Sequence, residues 1–264
     1  MRIAIIGAGN MGGAVARGLA ATAEATGHQI VVSNPSQPKL DALRTEYPVI
    51  NITNSNVQAI AGADLVILAV KPWKVQEVIE ELKPHLDYST QAVASMAGGV
   101  GAAQINGWLA QEGQPLPPLY LIIPNTAIAV RQSTTFIASV NATPQLDAQV
   151  QQIFSALGLV VPVEERLIPA GTALASCGIA YAMRYIRAAT EGGVELGFYP
   201  AQAQQIVMQT LAGAVGLLRH TGGHPEQEID RVTTPGGLTI KGLNAMERSG
   251  FTAAVIDGLK ASMK

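Results

Sequence analysis

One cysteine, Cys177, occurs in 264 residues. No disulfide can therefore form within the chain, nothing points to an oxidising compartment, and a cytoplasmic setting is expected. Charged residues make up only 14% and nearly cancel, leaving a net charge of −2. That balance supplies no field to draw in nucleic acid or an anionic membrane. The chain has no run of about 18 uninterrupted apolar residues, so no membrane span is expected. The apolar stretch at 1–8 is short and interrupted by Gly7, and it reads as a buried strand, not a signal peptide. His28, His85, His220 and His224 show no metal-ligand spacing and have no cysteine pair beside them. A metal site is not expected. There is also no G-x-S-x-G, which removes the usual sign of a serine-hydrolase elbow.

What the chain does have is apolar and small. Hydrophobic residues reach 48% against 5% aromatics, and there are 27 glycines. Such a composition buries a core and lets helices approach closely. Short β-rich runs alternate with helical spacing through the first half. Strands are expected at Arg2–Ile6, Gln29–Ser33, near Val49-Ile50, at Asp64–Val70, Ala92–Ser95 and Leu119–Ile123. Helices are expected at 10–22, 37–46, from Pro72 to Leu82, and at 101–111. Thr135–Val140 and Val160–Val163, with a helix at 145–157 between them, extend the same sheet. A β-α-β alternation of continuous apolar strands implies an α/β fold: a Rossmann-type, doubly wound, mostly parallel sheet with helices on both faces. Beyond about residue 164 strand signals vanish, and 168–197, 200–220, 238–248 and 251–262 read as helices. The expected division is 1–163, a dinucleotide-binding domain, and 164–264, an all-α domain. That second half looks too small and too apolar to bury itself alone, so it is expected to associate.

The first strand ends in Gly7-Ala8-Gly9-Asn10-Met11-Gly12 and a helix follows. In that context G-x-G-x-x-G has a mechanism. Gly7 makes the tight turn, Gly9 lets the backbone approach a pyrophosphate, and Gly12 lets the helix lie against the strand, whose neighbouring helix N-terminus faces the phosphates. A nicotinamide dinucleotide is the expected cofactor. NAD-preferring sites carry an acid at the end of the second strand; here that strand ends Ser33-Asn34-Pro35-Ser36, with Lys39 beyond. The missing acid favours NADPH, with NADH an alternative.

A second glycine-rich turn, Val232-Thr233-Thr234-Pro235-Gly236-Gly237-Leu238-Thr239, precedes the helix at 238–248. Two readings are open: an anion site at the helix start for a substrate carboxylate, or a plain N-cap made by Thr233 or Thr234. Lys71 follows the buried strand at the sheet end where ligands bind in such folds, and it is equally well a solvated loop lysine. Thr172 and Ser176 open the first long helix of the second half; either faces a cleft or bonds its own helix. Cys177 reads as a packed small residue.

With these motifs in place, the chain resembles the pyrroline-5-carboxylate reductase family nearly end to end. Val232–Leu243 is similar to that family's V-T-S-P-G-G-T-T-I-x-G-L, and Ile6–Gly12, Ala69-Val70-Lys71-Pro72, Pro124-Asn125-Thr126 and His224-Pro225 follow in order. The resemblance implies an NADPH site lined by Ile6, Gly7, Ala8, Gly9, Asn10, Met11, Gly12, Asn34, Asn56, Ala69, Val70, Lys71, Pro72, Ser95, Met96 and Ala97, with Ser33 and Ser36 beside it. It implies a substrate carboxylate held by Thr234, Gly236, Gly237, Leu238 and Thr239. Thr172 matches a threonine assigned to protonation of the ring nitrogen. The expected reaction is hydride transfer to the C=N carbon of a cyclic imine, giving proline, in a homodimer built through the C-terminal helices that assembles further. The sequence departs from the family's pattern at Leu121 (an arginine in the family), Ala127, Ala175–Ile179 and Gly222. These positions bear on the exact imine. A β-hydroxyacid dehydrogenase-like enzyme would carry a lysine on its first interdomain helix, yet 168–197 contains none. A non-catalytic NADPH-binding regulator is the remaining alternative.

Overall fold

The computed structural model describes residues 1–263. The chain divides into two compact units, Met1–Ser176 and Cys177–Lys264.

The first unit is built on one eight-stranded sheet with the order β3-β2-β1-β4-β5-β6-β7-β8. The strands are β1 Arg2–Ile6, β2 Gln29–Ser33, β3 Ile50–Thr53, β4 Leu65–Leu68, β5 Ala92–Ser95, β6 Leu119–Ile123, β7 Ser133–Val140 and β8 Gly158–Pro162. The first six run parallel in the doubly wound order, so the chain reverses direction on either side of β1. β7 then pairs antiparallel with β6, and β8 pairs parallel with β7. β4, β5 and β6 are buried along their whole length, the signature of strands covered on both faces. Two apolar clusters form those covers. Ile3, Ile5, Val15, Leu19, Tyr120 and Phe154 belong to one, and Ala4, Ile6, Val66, Leu68, Ile79 and Leu121 to the other. Alternate residues of one strand thus feed opposite cores, as the pleat requires.

The expected elements are present with shifted ends. The third strand is Ile50–Thr53, not centred on Val49. The helix after the first strand stops at Ala20, and a separate short helix, Ala23–Thr26, precedes β2. Pro72 opens a 3-10 turn through Lys74 before the α-helix Val75–Leu82 begins. Residues 168–197 are not one helix: α-helix at Ile168–Gly171 passes into a π-helical stretch at Thr172–Cys177 and back to α-helix at Gly178–Glu195. Periodicity alone carried no sign of that change in winding.

The second unit holds Gly178–Glu195, Pro200–Thr221, Pro225–Arg231, Leu238–Arg248 and Phe251–Ala261. Pro225–Arg231 had no apolar stripe to announce it. Gly193 packs on Ala203, where an added Cβ would come within 2.9 Å of the alanine Cβ. The rings of Tyr185 and Phe251 meet edge to face at 6.4 Å. Among the described residues of this unit, only Ala203 is a fully buried apolar side chain, whereas Leu196, Tyr199 and Leu238 are each more than 80% exposed.

Candidate functional site

Parallel pairing brings the carboxyl ends of β2, β1, β4 and β5 to one edge of the sheet. The segments immediately beyond them are Asn34–Ser36, Gly7–Gly12, Ala69–Pro72 and Met96–Ala97. These are the groups assigned to a dinucleotide, and the sheet gathers them in one place.

The glycine turn is constrained in three different ways. Gly7 has φ +107°, and a Cβ there would sit 2.8 Å from the Ala69 carbonyl oxygen. At Gly12 a Cβ would lie 2.0 Å from the Gly7 carbonyl oxygen and 2.8 Å from the Ala69 Cβ. Gly9 has nothing within 4 Å. The outer two glycines are thus required by the protein's own packing. The middle one faces open space, which is where a pyrophosphate must approach. The helix Asn10–Ala20 starts from Gly9 with no side chain capping it and no acid in its first turn. Its positive end thus has no partner among the side chains of its own cap and first turn. These residues fit a dinucleotide.

The turn is held from β2. Gly7 donates its N–H to the Ser33 carbonyl at 2.8 Å, and Ala8 donates its N–H to Asn34 Oδ1 at 3.0 Å. Asn54 Nδ2 donates to the Asn34 carbonyl at 3.0 Å. Ser33 is fully buried, and its hydroxyl donates to Asn56 Oδ1 at 2.7 Å. Its hydroxyl is therefore held by Asn56. On the other side Ser95 is buried and its Oγ accepts the Ala97 N–H at 3.3 Å, which shapes the loop after β5. Asn10, Lys71 and Gly98 are exposed at this edge.

Thr172 lies in the first unit, at the start of the π-helical stretch. Its hydroxyl donates to the Ile168 carbonyl at 2.8 Å. Ser176 closes the same stretch and donates to the Pro124 carbonyl at 2.8 Å. Wide turns of this kind recur at functional sites because they re-aim side chains within a helix. Beneath the stretch, Asn125 donates its N–H to Ser133 Oγ, which in turn pairs with Thr135 Oγ1 at 2.9 Å; Ser133 and Thr135 are buried.

In the second unit the turn at Thr234–Gly237 bears on one of the two readings, the threonine cap. Thr233 Oγ1 donates backwards to the Asp230 carbonyl at 3.1 Å, and Gly237 donates its N–H to the Thr234 carbonyl at 2.9 Å. Gly237, not a threonine, is the N-cap of Leu238–Arg248. No side chain caps that helix, and its first turn holds no acid. Gly236 has φ +70°, and Thr234, Leu238 and Thr239 are exposed. The plain N-cap reading is not what the chain adopts.

Residues 2–99 match the family model described as NADP oxidoreductase, coenzyme F420-dependent, and residues 165–264 match the one described as pyrroline-5-carboxylate reductase dimerisation. Two Dictyostelium discoideum proteins, pyrroline-5-carboxylate reductases 1 and 2, are 36% and 34% identical over 98% of this chain. The alignment spans 48% of the first protein and 90% of the second. The chain belongs to the pyrroline-5-carboxylate reductase family. A Plasmodium falciparum pyrroline carboxylate reductase, solved with NADP bound, shares its fold, with a TM-score of 0.87 at 24% identity over 100% of this chain and 95% of that one.

Two side-chain contacts close to these segments have no local signal in the sequence. Glu81 was invisible because its partner, Asn56, lies 25 residues away; Asn56 Nδ2 donates to Glu81 Oε2 at 2.8 Å. Glu165 was missed for the same reason: its Oε1 accepts the N–H of Ala102, at the start of the helix after β5, at 2.8 Å. Among the described residues no cluster of acids, histidines and cysteine could hold a metal, and no helix is long and apolar enough to cross a membrane.

Proposed function

We propose that the chain reduces 1-pyrroline-5-carboxylate to L-proline with NADPH. The observation that carries the reading is that two helices start uncapped and acid-free from within the two glycine-rich motifs, at Gly9 in Gly7–Gly12 and at Gly237 in Val232–Leu243. One suits a pyrophosphate and the other a carboxylate. NADPH, when bound, supplies the hydride delivered to the C=N carbon. The protein's own work is orientation and charge neutralisation. Gly7–Gly12 and the segments at Asn34, Asn56, Ala69–Pro72 and Ser95–Ala97 hold the dinucleotide. Thr234, Gly236, Gly237, Leu238 and Thr239 hold the carboxylate.

A cyclic imine reaches the site already protonated, so no strong acid is required there. The Thr172 proton is committed to the Ile168 carbonyl. Its oxygen therefore offers lone pairs, and it orients the iminium N–H as an acceptor without giving up a proton.

The second unit supports a homodimer, with further assembly of dimers, because a helical unit with one fully buried apolar residue among those described needs a partner surface to form a core. The lone Cys177 is in keeping with a reducing compartment, the cytoplasm. The test is the absorbance of NADPH with and without the imine. Oxidation that depends on the imine is expected, together with a dimer or a multiple of it by light scattering. Dinucleotide binding without imine-dependent oxidation would overturn the reaction.

A further inference from the structure

β2 ends without an acid, yet one arrives at the same place from another element. Ser33, the last residue of β2, donates its hydroxyl to Asn56 Oδ1 at 2.7 Å, and Asn56 Nδ2 donates to Glu81 Oε2 at 2.8 Å. The carboxylate accepts only, so it fixes the amide with nitrogen outward and oxygen toward Ser33. Asn56 is half-buried and Glu81 is exposed. The carboxylate stands one side chain away from the strand end at which dinucleotide sites distinguish a ribose hydroxyl from a ribose phosphate. Its position on its own helix is also unfavourable: Glu81 lies in the last turn of Val75–Leu82, where the helix dipole disfavours negative charge.

We propose that Glu81 sets the discrimination between phosphorylated and unphosphorylated dinucleotide. Its carboxylate holds Asn56 in one orientation and places a negative charge next to the site of the 2′-phosphate. That charge weakens NADP binding and leaves NAD nearly untouched, giving the chain a dual preference that the β2 sequence alone does not predict. The inference rests on the cofactor reading above.

The test is calorimetric titration of the full-length protein with NADP⁺ and, separately, NAD⁺, without imine. Glu81→Gln keeps the size and the acceptor and removes the charge. At low salt it should tighten NADP⁺ by about 3-fold, as one exposed carboxylate acting on a phosphate through a water-like medium would. NAD⁺ should hardly change, and the gain should shrink as salt is raised. Glu81→Asp keeps the charge and should leave the NADP⁺ to NAD⁺ ratio where it is. An unchanged ratio in Glu81→Gln overturns the proposal, as does an equal shift in Glu81→Asp. If the unaltered protein binds neither dinucleotide, it is the cofactor reading that fails.

Discussion

Asn34 Oδ1 accepts the backbone N–H of Ala8 at 3.0 Å, and both residues are buried. The end of β2 thereby fixes the glycine turn that follows β1. Asn34→Ala strands a buried N–H, which costs about 1–3 kcal/mol. A fall in melting temperature of several degrees is expected by calorimetry. Asn34→Asp keeps the acceptor but turns a charge toward the phosphates, so it should retain most of the stability and lose more NADP⁺ affinity. Equal losses in both variants would show that Asn34 acts through packing alone.

Gly9 and Gly12 separate binding from folding. An added Cβ at Gly12 meets backbone at 2.0 Å, and backbone cannot step aside. Gly12→Ala should therefore lower stability by about 1–3 kcal/mol or more, the range of an overpacked core, and abolish NADP⁺ binding with it. Gly9→Ala has open space and should melt close to the unaltered protein while NADP⁺ affinity drops at least about tenfold, since the methyl occupies the path of the pyrophosphate. Thermal melts beside dinucleotide titrations decide it; a Gly9→Ala protein that binds NADP⁺ normally would move the pyrophosphate elsewhere.

Much of this architecture was legible in the sequence, and for physical reasons. Leu65–Leu68 and Ala92–Ala94 are unbroken apolar runs because they are buried on both faces, and glycine at positions 7, 9 and 12 leaves a spacing that few other structures require. What stayed hidden depends on contacts between distant segments. The π-helical winding at Thr172–Cys177 keeps a helical composition. The Ser33–Asn56–Glu81 chain and the Glu165 cap on Ala102 join residues 23 to 63 positions apart, and no local pattern encodes such pairs. The second turn was half legible: glycine, threonine and proline marked a helix start, but only the backbone shows that neither Thr233 nor Thr234 caps it.

His28 gives the fold a weak dependence on pH. Burial is the larger cause holding its pKa below the ordinary value, and the Met1 ammonium 3.4 Å from Nδ1 adds to it. The folded state therefore binds this proton less readily than the unfolded one. The contribution is fully present above the unfolded histidine value of about 6.5 and is lost as pH falls through the lower folded value. Melting temperatures from pH 8 down to pH 5 should drop more steeply for the unaltered protein than for His28→Asn. Parallel curves would remove His28 from the account.

The helix Leu238–Arg248 allows a test in which stability and catalysis move in opposite directions. Its first turn carries no acid and no side-chain cap, an arrangement that leaves the helix end short of negative charge. A carboxylate placed there, as in Thr239→Asp, complements the helix dipole and should hold or raise the melting temperature, by about 0.3–1 kcal/mol of stability. The same carboxylate repels the carboxylate of the imine. The Michaelis constant for the imine should rise at least about tenfold, one factor of ten for each 1.4 kcal/mol of lost binding, with NADP⁺ affinity unchanged. Thr239→Ala, which removes only a hydroxyl, should raise the same constant by a smaller factor. If Thr239→Asp left it untouched while stabilising the helix, the substrate carboxylate would have to bind away from this turn, and the acid-free first turn would be an incidental feature of the helix.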